Sequence, residues 1–247
     1  MTLALVALLA MGAWGRSAGA QDATPAAVDC TAEIGVGAAG EACVNVVHAS
    51  PDAPAVDVYV DGALALENLA FPGSSGWVAL PAGPHQIDVV ATGEDISTAV
   101  ISAPADLVAG TAYEIAAVGL LAEIAPAINV VDVAELDADT TRIQVVHASP
   151  DAGPVDVAVT GADVLVPALE FPNPSGFLEV PAGSYDLEVR AAGTTDVALP
   201  LPGVALEGGT AYSIYAVGTV ADGTLNVLVI PTPLGGSAGT PVASPEA

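Results

Sequence analysis

The chain of 247 residues carries 29 acidic side chains and only three basic ones, which gives a formal net charge of −26 at neutral pH. Lysine is absent, and the basic residues are Arg16, Arg142 and Arg190. Too few cationic groups are present to neutralise the phosphates of a nucleic acid or to bind anionic lipid. We therefore expect no nucleic-acid partner, whereas a surface of this charge could attract cations or basic partners.

The N-terminus has the pattern of an export signal. The apolar block LALVALLAMGAW covers 3–14, and the small residues AGA at 18–20 precede Gln21. This block is shorter than the roughly 18 residues of a membrane helix and suits a secretory signal. We predict a signal peptide over 1–20 and an exported mature chain without an integral membrane span; the alternative is a retained N-terminal anchor.

Two cysteines, Cys30 and Cys43, follow the predicted signal and flank the Gly-rich stretch TAEIGVGAAGEA. In an oxidising compartment such a pair predicts a disulfide, and closing a loop of this size contributes about 3 kcal/mol in the chain-entropy model. It would tether the N-terminal segment 21–42 to the first strand. A metal site is disfavoured because no second cysteine pair and no histidine lie at ligand spacing.

The rest of the chain is a duplication. VVHASPDA at 46–53 recurs at 145–152, and FP, PAG, GTAY and AVG recur in the same order. We predict two homologous domains, an exposed polar linker between them and a disordered low-complexity tail. Their predicted bounds are 43–134 for the first domain, 135–140 for the linker, 141–231 for the second domain and 232–247 for the tail.

Within each copy the hydrophobic pattern has a period of two residues. In SYDLEVRAAG, Tyr185, Leu187 and Val189 alternate with charged residues, which indicates a strand with one apolar and one wet face. Turn residues such as PAG separate short runs of this kind at intervals of about 8 to 12 residues. The pattern predicts two tandem antiparallel β-sandwich domains, immunoglobulin-like or transthyretin-like, with about seven or eight strands each.

The repeated motif is VVHASPDAPAVDVYVDG, in which two predicted strands flank the turn SPDAPA. Pro51 fixes φ, and Ser50 and Asp52 can accept hydrogen bonds from nearby backbone N–H groups. We predict that His48 holds this turn through Asp52 or a backbone carbonyl. Asp57 interrupts a valine run, so it is expected on the solvent face or paired with an adjacent loop. The equivalent residues of the second copy are His147, Ser149, Asp151 and Asp156.

Two chemical alternatives for this motif stay open. Ser50 and His48 are two residues apart on an extended segment, so a hydrolase is a minor alternative, although no nucleophile-elbow pattern is present. Asp52, Asp57 and Asp61 carry the hard oxygen ligands that calcium prefers, although Asp61 is replaced by threonine in the second copy. A calcium-dependent binding module is therefore the main alternative; we assign no catalytic residue, metal ligand or cofactor.

Three further side chains invite a functional interpretation. His85 aligns with Tyr185 of the second copy, so we predict an aromatic position at the edge of the core rather than a ligand. Trp77 and Phe177 follow equivalent Ser-Gly pairs. We predict that both are core aromatics rather than a sugar-stacking platform.

VVHASPDAPAVDVYVDG, NLAFPGSSGWVALPAGPHQIDVVATG and AGTAYEIAAVG closely resemble the bacterial family of domain of unknown function 4397, and the second copy resembles it equally. One departure is Gly153-Pro154, where the first copy has Pro54-Ala55. The resemblance implies an exported β-sandwich module, often in tandem, with no known catalytic residues. The sequence thus favours a secreted or cell-envelope, non-enzymatic protein with a structural, adhesive or partner-binding role. Its partner would be an unidentified protein or envelope component.

Overall fold

The computed structural model describes residues 38–234. The predicted signal over 1–20, Cys30 and the chain after 234 lie outside the described residues. Cys43 is fully buried in the first strand. The proposed Cys30–Cys43 disulfide therefore stays a prediction.

Each sequence repeat folds into eight strands. The first copy also has two single-turn 3-10 helices, Ile96–Thr98 and Leu121–Glu123. Its strands are β1 (Glu41–Ala49), β2 (Val56–Val60), β3 (Ala63–Leu69), β4 (Gly73–Pro81), β5 (Gly83–Ala91), β6 (Ile101–Leu107), β7 (Ala112–Val118) and β8 (Ala125–Val131). The strands of the second copy are β9 (Thr140–His147), β10 (Val155–Val159), β11 (Val164–Leu169), β12 (Leu178–Pro181), β13 (Gly183–Ala191), β14 (Val197–Leu206), β15 (Thr210–Val217) and β16 (Asn226–Pro233).

The eight strands of each domain form two four-stranded sheets. The first domain has an inner sheet of order β4-β1-β7-β8 and an outer sheet of order β3-β2-β5-β6. The second domain repeats this arrangement with β12-β9-β15-β16 inside and β11-β10-β13-β14 outside. The prediction of two tandem β-sandwiches is confirmed. One detail of it is wrong: β1 and β7 run parallel, as do β9 and β15. A parallel pair is possible here because the outer-sheet strands form the long crossover that it requires.

The strands extend beyond the domain bounds predicted from the sequence. β1 begins at Glu41, β9 begins at Thr140 within the predicted linker, and β16 continues through Pro233 into the predicted tail. Prolines near the end of β16 suggested a disordered segment. This strand tolerates them because it lies at the edge of its sheet, where a backbone N–H is not needed on the open side.

The inner sheets of the two domains pack against each other. One apolar cluster joins both domains, and its members include Val47, Val118, Val146, Tyr215 and Val217. A second shared cluster includes Cys43, Trp77 and Ala211. The molecule is therefore a four-layer stack in the order outer sheet, inner sheet, inner sheet, outer sheet.

Burial on both faces changes the character of the inner strands. Every residue of β7 and of β15 is buried. The expectation of one apolar and one wet face is wrong for these two strands, since one face covers the core of its own domain and the other face covers the partner domain. Alternation survives in outer strands such as β6, whose burial follows a period of two along most of its length.

The shared clusters also fix the relative direction of the domains. Val118, Ala148 and Val217, at the C-terminal ends of inner strands, belong to one cluster, whereas Ala112 and Ala211, near the N-terminal ends, belong to the other. β1, β7, β9 and β15 therefore point the same way. The loops that follow them lie at one end of the molecule, which we call the motif end because it carries the turns at 50–55 and 149–154.

The connection between the domains is anchored at its start. The Arg142 guanidinium donates to the carbonyl oxygens of Asp132 and Ala134, at 2.9 and 3.0 Å, and to a Glu179 carboxylate oxygen at 2.8 Å. Leu136 packs against the second shared cluster. The predicted linker is exposed at most positions but is not a free tether.

Because the domains share a core, we predict that they unfold together. Val157→Ala removes two methyl groups from the core of the second domain and should cost about 2 kcal/mol. Trp77 lies in a strand of the first domain, and its fluorescence should show an unfolding midpoint lower than that of wild type. This midpoint should equal the one measured by far-ultraviolet circular dichroism.

Val58→Ala, the equivalent change in the first domain, is the matched control and should act alike on both probes. A Trp77 transition that stays at the wild-type midpoint in Val157→Ala, while circular dichroism shows an earlier phase, would contradict a shared cooperative unit.

Candidate functional site

The motif histidine of the first domain forms hydrogen bonds only with backbone groups of the turn that follows it. His48 is fully buried near the end of β1. Its Nε2–H donates to the Pro54 carbonyl oxygen at 2.9 Å, and its Nδ1 accepts the Ser50 N–H at 3.4 Å. Burial lowers the pKa of the imidazole. A neutral ring with Nε2 protonated therefore satisfies both nitrogens and closes the turn.

The second copy repeats this geometry despite its different turn sequence. His147 Nε2 donates to the Gly153 carbonyl oxygen at 3.1 Å, and Nδ1 accepts the Ser149 N–H at 3.3 Å. The departure at Gly153-Pro154 has no effect on this contact, because the acceptor is a backbone carbonyl that any residue supplies. Phe171 lies edge-on to the ring at 6.1 Å, as Phe71 does to its counterpart at 5.9 Å.

Asp57 supports a bulge in the neighbouring strand. Its Oδ1 accepts from the Asn68 N–H at 2.8 Å and the Thr92 hydroxyl at 3.0 Å, and its Oδ2 accepts from the Gly93 N–H at 2.9 Å. Asn68 has a φ of 58° where β3 carries an extra residue opposite β2. Although burial alone would raise it, the Gly93 and Asn68 donors lower the pKa of Asp57.

Asp156 does the same in the second domain, where it accepts from the Ala168 N–H at 2.7 Å and the Gly193 N–H at 2.8 Å. These two donors lower the pKa of Asp156. Ala168 has a φ of 48°, a conformation unfavourable for a residue with a Cβ atom. Of the two expectations for this position, pairing with an adjacent loop is the one that the structure shows.

Asp52 and Asp151 hold the loop that follows the last parallel strand of each domain. Asp52 Oδ1 accepts from the Leu121 N–H at 2.7 Å. Asp151 accepts from the N–H groups of Val220 and Ala221, both at 2.8 Å. The motif aspartate therefore links two loops that are far apart in sequence.

The geometry does not support the catalytic alternative. Ser50 is fully buried, and its hydroxyl makes no hydrogen bond. Both His48 nitrogens are occupied by backbone groups, Nε2 by the Pro54 carbonyl and Nδ1 by the Ser50 N–H. A general base must reach the hydroxyl of its nucleophile, and substrate must reach both groups. Neither condition holds in this arrangement.

The three aspartates weighed for calcium bind different partners. Asp52 accepts from Leu121, Asp57 from the loop at Gly93, and Asp61 from the Gln86 N–H and the His85 ring. Among residues 38–234, no group of three or more His, Cys, Asp or Glu side chains is arranged to hold a metal ion.

The aromatic positions differ between the copies. Trp77 is buried against both domains, whereas Phe177 is 38% exposed, so its prediction as a core residue is wrong. Phe177 lies just before the short strand β12, outside regular pairing. His85 and Tyr185 both bond to an equivalent carbonyl, that of Pro81 and Pro181 respectively, which agrees with their alignment.

One feature absent from the sequence analysis is a polar cluster between the inner sheets. Glu114 is fully buried, and its Oε2 accepts from the Tyr215 hydroxyl of the other domain at 2.8 Å. Asn129 donates to the same hydroxyl at 3.2 Å. Burial raises the pKa of Glu114 to about 7, against the opposing effect of the hydrogen bond from Tyr215. Only the duplicated alignment, Glu114 opposite Ser213, hinted at a special position.

The second domain has an open cleft beside β11. Pro174 stands where the first copy has Ser74. Pro174 forms only an isolated bridge to Val146, and β12 is shorter than β4. The gap beside β11 has a volume of about 440 Å³ and is lined mainly by apolar groups.

We predict that His48→Ala destabilises the fold by about 1 to 3 kcal/mol, because the Pro54 carbonyl and the Ser50 N–H lose their buried partner. Chemical denaturation would measure the change. His147→Ala should cost a similar amount, whereas Glu67→Gln, at an exposed position, should change little. An unfolding midpoint unaffected by His48→Ala would refute the structural role of this ring.

The buried Glu114 carboxyl should make stability depend on pH. The folded state keeps its proton up to about pH 7, whereas the unfolded chain releases it near the usual pKa of 4.5. The free energy of unfolding should therefore fall as pH rises through this window. Glu114→Gln should remove this fall and leave the variant more stable than wild type at about pH 8 by on the order of 3 kcal/mol. Parallel stability profiles for both proteins between about pH 5 and pH 8 would contradict this assignment.

No curated protein matches the chain. Among solved structures, it is similar to the Bacillus anthracis TIE protein at 7% identity and a TM-score of 0.25, with 73% of this chain and 34% of that one covered. It thus spans about a third of that protein. A candidate cell adhesion protein from Bacteroides eggerthii has 11% identity and a TM-score of 0.25, with coverage of 79% and 97%. These likenesses carry no information about ligands.

The profile of the family described as domain of unknown function 4397 matches the chain twice, over residues 42–158 and 143–241. Each match begins within the first strand of one sandwich domain, and the first match continues into β10, so the two overlap over 143–158. The chain belongs to this family.

Proposed function

We propose that this chain is a non-catalytic protein of the bacterial envelope or extracellular space, with an adhesive or partner-binding role. The observation that carries the proposal is that the motif side chains bind their own backbone. Where a catalytic site would leave a nucleophile and a base exposed in a cleft, His48 and His147 are buried and hydrogen-bonded within their turns.

Rigidity supports a binding role. The two domains share apolar clusters, and Arg142 fixes the start of the connection between them. A rigid block presents its end loops in a fixed relative position, which reduces the entropy lost when a partner binds. Within residues 38–234, no helix is long and apolar enough to cross a membrane.

Charge supports a partner of opposite sign. Both arginines of the described residues form ion pairs with glutamates, Arg142 with Glu179 and Arg190 with Glu188. The remaining surface is dominated by carboxylates, since the whole chain has a net charge of −26. Such a field speeds encounters with basic partners and repels acidic ones.

A bead assay tests the binding role. Fluorescent beads coated with the mature protein should adhere to bacterial cells of the source species, as measured by flow cytometry. Beads coated with polyglutamate at matched charge are the control and should not adhere. Equal adhesion of both bead types, or none of either, would count against a specific binding role.

The same purified protein should show no hydrolysis of ester, peptide or glycosidic substrates. Turnover that is lost in His48→Ala, while the variant remains folded by circular dichroism, would overturn the proposal in favour of an enzyme using Ser50 and His48.

A further inference from the structure

The motif aspartates present an apolar residue at the surface. Asp52 accepts from the N–H of Leu121, which is 39% exposed, and Asp151 accepts from the N–H of Val220, which is 52% exposed. The sequence alignment of the copies pairs Leu121-Ala122-Glu123 with Val220-Ala221-Asp222. Both copies therefore display a large apolar residue followed by alanine and an acid.

The two tips are held firmly. Gly119 and Gly218 begin them with φ values of 93° and 88°. A Cβ atom at Gly218 would lie 2.2 Å from the Thr224 carbonyl oxygen, so the loop folds back too tightly for any other residue. In that loop the Thr219 hydroxyl also donates to Asp222 at 2.8 Å.

Both tips lie at the motif end of the molecule. Val118 and Val217, which come just before them, are buried in the same apolar cluster between the inner sheets. Packed sheets are separated by about 10 Å. The two loops therefore start close together, at the same end of one shared core. A single partner segment can contact both of their tips.

The groups around the tips are acidic. Asp52, Asp95, Glu123 and Asp222 are exposed at this end. Of the described basic side chains, Arg142 lies at the opposite end, and Arg190 is paired with a glutamate. Isolated exposed apolar residues are ordinary. Here they occur at the same position in both copies, on the loop that the motif aspartate holds.

Resting on the proposed binding function, we propose that Leu121 and Val220, with the carboxylates beside them, form one docking surface for a protein segment that carries Lys or Arg next to apolar side chains. The apolar tips would supply contact area, and the carboxylates would select the charge of the partner. A second copy of this chain does not fit, because acidic ends repel each other.

Three labelled peptides of about twelve residues serve as probes, one of alternating Lys and Leu, one of alternating Lys and Ser, and one of alternating Glu and Leu. Binding to the mature protein is measured by fluorescence anisotropy. We expect the Lys-Leu peptide to bind best and to weaken with added salt. The double variant Leu121→Ser/Val220→Ser should weaken it about fivefold or more.

The matched control is Val108→Ser, which changes an apolar residue that is 60% exposed at the opposite end of the molecule. It should leave binding within about twofold of wild type. Equal binding of the Lys-Leu and Lys-Ser peptides, the same loss in the control variant, or no binding of the Lys-Leu peptide would overturn the docking surface.

The bead assay separates this surface from the general function. Adhesion that the double variant retains in full would overturn the docking surface and leave the binding function standing. Loss of adhesion in the double variant, with folding unchanged by circular dichroism, would support both.

Discussion

The structure depends on burial of the inner sheets from both sides. Each residue that points away from its own core in β7 or β15 must fit against the other domain, so large and small side chains have to alternate across the interface. Tyr215 is fully buried there, and the equivalent position of the first domain is Ala116. The duplicated strands have thus diverged in complementary ways. In an isolated domain, the apolar face of the inner sheet would be exposed, whereas in the stack the other domain covers it.

The same constraint explains the polar cluster at the centre of the interface. Burying a carboxyl costs free energy unless hydrogen bonds replace its water. Glu114 receives such a bond from Tyr215, yet its Oε1 and the Asn45 amide nitrogen have no described partner. An apolar pair would pack at lower cost. A buried polar pair instead allows few alternative alignments of the two sheets, because any slip separates donor from acceptor.

The sequence was sufficient to predict the domain pair and the turn that His48 closes, since period-two alternation and Pro-Asp turn chemistry are local. It also contained recurring residues whose purpose is visible only in three dimensions. The tyrosines of both GTAY segments accept a backbone N–H from the loop five residues earlier, Val108 for Tyr113 and Glu207 for Tyr212. Ser75 accepts the Val46 N–H beside a bulge. The packing of one domain on the other has no signal of its own, because a strand buried on both faces reads as an apolar run whatever covers its second face.

The repeated motif and the proposed docking surface therefore consist largely of different residues. His48, Asp57 and their counterparts are retained in both copies because backbone donors and acceptors in bulges and turns need fixed partners. A carboxylate occupied in this way is not available for catalysis. Asp52 and Asp151 differ in one respect, since the loops that they hold end in exposed apolar side chains. The motif thus shapes the surface indirectly, because its aspartates fix the position of the loop residues. Those residues differ between the two copies, as Leu121 and Val220 do.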